Sequence, residues 1–144
     1  MTGSGIRFTL RLKIWFYSIF GILFFSGVLW LIVHYYGSDE KYDSLKPLLL
    51  RVHGAAAMVS LLMLGVLIPT HMNRGWKKDR NRWMGIVIVT LSLLMIVSGY
   101  GLYYCGDDNL RAWISGFHSM TGSLLPLVLF WHIISGRKSK KRIY

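Results

Sequence analysis

Four apolar stretches, each long enough to cross a lipid bilayer, leave this chain little freedom in what it can become. They run from Ile14 to Tyr36, Leu48 to His71, Trp83 to Tyr104 and Ala112 to Ser135. A hydrocarbon core of about 30 Å needs roughly 20 apolar residues in helical form. Lipid offers no partner to an open backbone, so spanning segments are helices or closed barrels, and a barrel needs at least about eight short alternating strands. These stretches are continuous runs in a chain of 144 residues that is 53% hydrophobic. The expectation is an all-α membrane protein: one four-transmembrane-helix bundle over residues 1–144, with helices at about 14–36, 48–71, 83–104 and 112–135 and a basic tail at 136–144.

A net charge of +11 raises the question of nucleic acid, and the placement of the charge answers it. Thirteen of the 17 Lys and Arg residues fall in Arg7 to Lys13, Arg74 to Arg82 and Arg137 to Arg142, the segments that four crossings put on one side. Asp39, Glu40, Asp43, Asp107 and Asp108 occupy the two loops on the other side. By the positive-inside rule the basic side is cytoplasmic, so both termini are expected there. Orientation and contact with anionic lipid account for the cations without nucleic acid. The first apolar stretch is too long for a signal-peptide core and has no small-residue cleavage site after it, which makes it a retained helix.

Polar groups are scarce inside these spans, and the histidines stand out among them. A titratable side chain within a membrane helix is by default a functional candidate. His118 and His132 are fourteen residues apart in the last span, which returns them to within about 40° of one face, about 21 Å apart along a helix. His53 and His71 are eighteen residues apart in the second span, five full turns and about 27 Å. His53 and His118 lie a similar distance from the outer helix ends, and His71 and His132 from the inner ends, because both helices run from outside to inside. That makes an outer pair and an inner pair.

Small residues cluster near the outer pair: Gly54, Ala55, Ala56 and Ala57 after His53, and Gly116, Ser119, Gly122 and Ser123 around His118. They leave space for a flat bulky group and equally allow close approach of two helices. Two imidazoles facing each other at one depth suit the axial positions of a haem iron. Structural zinc wants four close nitrogen or sulfur ligands, and a proton relay lacks intervening carboxylates. Arg51 and Arg111 near the outer level and Arg74, Arg82 and Arg137 near the inner one are candidate partners for haem propionates, or ordinary interfacial cations. His34 follows an aromatic first helix and reads as an interfacial residue, in competition with His53 for the outer level. Without a C-x-x-C-H motif any haem is held non-covalently, and the lone Cys105 allows no intrachain disulfide. Pro69 and Pro126 are candidate bends in the second and fourth helices.

In these features the chain resembles the bacterial four-helix di-haem cytochrome b proteins, including the membrane subunits of formate dehydrogenases and hydrogenases. It is more closely similar to a bacterial family of compact four-helix proteins, through Arg51 to Gly54 (R-V-H-G), Pro69 to His71 (P-x-H), Asn81 with Arg82, Gly99 to Tyr104 (G-Y-G-L-Y-Y), Arg111 to Trp113 (R-A-W) and Gly116 to His118 (G-x-H). The resemblance covers roughly residues 48–137. It implies two bis-histidine b haems, with His53 and His118 on the outer iron and His71 and His132 on the inner, and one-electron transfer across the inner membrane of a bacterium. In the dehydrogenase subunits the remaining two ligands come from two different helices, where this chain has both on one.

The resulting expectation is an electron-transfer subunit of a larger oxidoreductase complex, rather than an enzyme by itself. Its partners would be other membrane or periplasmic redox subunits, quinone and lipid. The alternatives are a cofactor-free structural or assembly subunit, contacting its complex through the aromatic first helix, and a stand-alone quinone or metal reductase.

Overall fold

The structure is a computed structural model, and it describes residues 10–37, 42–67 and 82–141, with side chains in the last segment through residue 136. The described residues are helical, with no strand among them. Helix α1 spans Leu10–Tyr36, α2 Leu45–Leu67, α3 Arg82–Tyr104 and α4 Asp108–Lys141. All four are long and apolar enough to cross a membrane, α4 over Asp108–Gly136.

The helix ends depart from the hydropathy boundaries for local reasons. Helix α2 begins at Leu45, ahead of Pro47. In the first helical turn an N–H has no intrahelical acceptor, so the proline there forfeits nothing. Helix α4 begins four residues before the expected Ala112. Asp107 acts as its N-cap: its carboxylate accepts the Leu110 N–H at 2.7 Å, and its carbonyl accepts the Arg111 N–H at 2.9 Å. At the other end α4 continues to Lys141 through the basic stretch expected as a tail. Lysine and arginine are good helix formers, and their charge suits a helix C-terminus. Pro126 lies inside α4 without ending it.

The helices pair as two antiparallel hairpins, α1 with α2 and α3 with α4. In the first, Gly37 closes α1 by donating its N–H to the Val33 carbonyl at 3.0 Å, and the Tyr42 ring packs against it. A Cβ at Gly37 would stand 2.5 Å from that carbonyl oxygen, so the turn requires glycine. The exposed Lys46–Asp43 ion pair at 3.2 Å adds little in high dielectric.

The seams of both hairpins are built from small side chains. The buried residues are Ser26, Val33, Ala56 and Ser60 in the first, and Ser92, Ser98 and Thr121 in the second. Small residues let helices approach closely where lipid removes any hydrophobic drive to pair. Ser92 donates to the Ile88 carbonyl at 2.8 Å and Thr121 to the Phe117 carbonyl at the same distance, whereas the buried Ser60 hydroxyl has no partner among the described residues. Large apolar side chains point outward instead, Leu62 74% exposed and Trp113 79% exposed. Such surfaces over whole helices match a lipid environment rather than water.

Candidate functional site

The histidines of the two hairpins are held by the same kind of contact. In the first, His53 of α2 reaches across to α1, where its Nδ1 lies 2.9 Å from the Leu23 carbonyl oxygen and 3.2 Å from Ser26 Oγ. A carbonyl oxygen can only accept, so Nδ1 carries the proton and Nε2 carries the lone pair. Ser26 itself donates to the same Leu23 carbonyl at 3.0 Å.

Gly27 makes this approach possible. On a helix the carbonyl of residue 23 stands next to residue 27, one turn on. A Cβ at Gly27 would lie 3.0 Å from His53 Cε1 and 3.2 Å from Nδ1. The missing side chain is the door through which the imidazole reaches the backbone.

The second hairpin repeats the arrangement with different weights. His118 Nδ1 of α4 lies 2.8 Å from Ser98 Oγ of α3. Ser98 has one hydroxyl proton, and the Leu94 carbonyl 2.7 Å away can only receive it. A Ser98 hydroxyl bonded in this way to Leu94 leaves its oxygen to accept from a His118 protonated on Nδ1. Gly99 follows Ser98 as Gly27 follows Ser26, with an open 3.4 Å between a built Cβ and His118 Cε1. One turn away, Met95 fills the space beside Gly122: its Cε would be 3.1 Å from a Cβ there, and its sulfur lies 3.1 Å from Thr121 Oγ1.

Other residues singled out in the sequence fall into distinct positions. His118 and His132 share the unbroken helix α4, within about 40° of one face and about 21 Å apart; both are half-buried. Arg111 stands two turns before His118 on nearly the same face, whereas Arg51 lies about 160° around α2 from His53; both arginines are exposed. A side chain at Gly54 would meet nothing within 4 Å. His34 is exposed at the C-terminal end of α1, stacked on Trp30 with ring centroids 4.6 Å apart and edge-on to Tyr35. His71, Pro69 and Arg74 lie outside the described residues, so the inner pair is placed only through His132.

Among the described residues no three His, Cys, Asp or Glu side chains gather as a metal-binding cluster. A site for iron in a planar macrocycle does not need one, since the macrocycle supplies four donors and the protein only axial nitrogens. The clamp on His53 and His118 is the kind of contact that metal-ligating imidazoles carry, the distal N–H held by a carbonyl or another acceptor while the other nitrogen faces the metal.

Sequence reading did not single out Leu23, Ser26 or Gly27. The one available signal is the recurrence of a Ser-Gly dipeptide on the first helix of each hairpin, opposite a histidine on the second.

Fold and side chains together define a multi-pass membrane protein made of two histidine-bearing helical hairpins. No protein-family model, curated protein or solved structure matches the chain.

Proposed function

We propose that this protein passes electrons across a membrane through two non-covalently held b-type haems, with His53 and His118 on the outer iron and His71 and His132 on the inner. The observation that supports this reading is the paired clamp: two half-buried histidines, one per hairpin, each held at Nδ1 by a group on the facing helix.

Haem would supply a one-electron iron couple. The chain would supply imidazoles oriented by their clamps, apolar helix surfaces, and Arg111 on the His118 face of α4 as a partner for a propionate. Apolar surface such as Phe25 and Trp15 on α1 suits lipid and the other subunits of a redox complex, with a quinone or an external electron carrier as exchange partner. The resemblance to di-haem cytochrome b proteins and the charge asymmetry support a bacterial inner membrane with both termini in the cytoplasm. The test is a reduced-minus-oxidised absorption spectrum, with haem extraction, of the full chain made under ample haem supply. A preparation without b-type haem overturns the proposal in favour of a cofactor-free assembly subunit.

Orientation has its own test. Cys105 follows α3 in the loop before α4, its sulfur close to the Asp107 carbonyl at 3.5 Å and partly exposed. It is the sole cysteine of the chain. A membrane-impermeant maleimide is expected to label it in intact spheroplasts. Labelling that needs permeabilised membranes would invert the topology.

A further inference from the structure

The two clamps look alike but divide the work differently between backbone and side chain. In the first hairpin the Nδ1–H of His53 has a backbone acceptor at 2.9 Å, with Ser26 Oγ a longer second at 3.2 Å. A mutation cannot delete the Leu23 carbonyl. In the second hairpin the short contact of His118 Nδ1 is to the Ser98 hydroxyl at 2.8 Å. That hydroxyl donates in turn to the Leu94 carbonyl at 2.7 Å, which polarises its oxygen and strengthens it as an acceptor.

We propose that Ser98 is a positioning residue that sets the tautomer and donor strength of His118, whereas Ser26 is a dispensable second acceptor for His53. The part concerning haem rests on the electron-transfer reading; the part concerning the tautomer does not. An acceptor on Nδ1–H makes an imidazole more basic and a better donor from Nε2, which favours the more oxidised metal. Taking Ser98 away weakens that donor, so the potential of the haem it serves moves upward.

The tautomer is read by 15N NMR of the histidine-labelled full-length chain, made without haem and held in lipid nanodiscs. The wild type is expected to show protonated Nδ1 and unprotonated Nε2 at both His53 and His118. Ser98→Ala should shift His118 toward the other tautomer, Ser98→Thr should restore the wild-type pattern by keeping a hydroxyl, and Ser26→Ala should leave His53 unchanged. A wild-type His118 protonated on Nε2, or a Ser98→Ala spectrum identical to wild type, overturns the proposal. If Ser98→Ala does not fold, a Ser98→Thr chain with a changed His118 tautomer overturns it equally.

In the haem-loaded chain a redox titration should show one midpoint potential raised in Ser98→Ala and neither moved in Ser26→Ala. Equal shifts in both variants would remove the asymmetry on which the proposal stands. A wild type that binds no haem at all defeats the electron-transfer reading, and the tautomer comparison then decides the role of Ser98 by itself.

Discussion

Replacing His118 with alanine is expected to reduce bound haem from two per chain to one. Nothing covalent would hold the macrocycle, because the chain has no C-x-x-C-H motif and its sole cysteine, Cys105, lies beyond the end of α3. On the proposed reading, the outer haem would be retained only by the imidazoles of His53 and His118 and by apolar contact, and removing His118 would take away one of those holds. His132→Ala should have the same one-haem effect at the inner level. His34→Ala should leave both haems, since that imidazole is engaged with Trp30 and Tyr35 at an exposed helix end. Pyridine haemochrome quantification of the three variants separates these outcomes. A His118→Ala protein that keeps two haems would dismiss His118 as a ligand, and a haem lost from His34→Ala would reassign the outer site to α1.

Gly27→Ala should displace His53, whereas Gly99→Ala should be tolerated. The two glycines occupy equivalent places, each following the serine of its clamp, and differ in the room available. A methyl at Gly27 would sit 3.0 Å from the edge of the His53 ring, closer than van der Waals contact allows. At Gly99 the corresponding distance is 3.4 Å, an ordinary contact. The His53 ring cannot yield freely, because moving it away breaks its bond to the Leu23 carbonyl. Overpacking of this kind costs about 1–3 kcal/mol, and a buried N–H left without an acceptor costs about the same. Gly27→Ala should therefore lower the thermal unfolding midpoint in detergent and diminish the outer haem signal, with Gly99→Ala close to wild type in both. Equal behaviour of the two variants would mean that the imidazole does not rest against Gly27. Gly54→Ala is the control for the unfolding midpoint, since a side chain there meets no protein atom within 4 Å.

Much of the architecture was legible because membrane insertion depends on quantities that add up along a chain. Apolar length located all four spans, and the structure moved their ends by only a few residues where Asp107 caps α4, Pro47 sits in the first turn of α2 and the basic stretch after residue 135 stays helical. The shared face of His118 and His132 was likewise readable, since it follows from helical period alone and α4 runs unbroken between them. The partners of the histidines were not. Gly54 and Gly122 drew notice because they lie near histidines in sequence, yet Gly122 receives Met95 from α3, and the glycine that admits an imidazole is Gly27, twenty-six residues before His53.

By itself, then, the sequence determined that the chain has four helices long and apolar enough to cross a membrane, and how the imidazoles are spaced along them. Tertiary structure alone decided which backbone and side-chain atoms hold the imidazoles of His53 and His118. The physical reason is that insertion follows from composition over about twenty residues, whereas a hydrogen bond between helices depends on how each is rotated about its axis. A Ser-Gly step in an apolar helix carries no mark of that rotation until the facing helix packs against it.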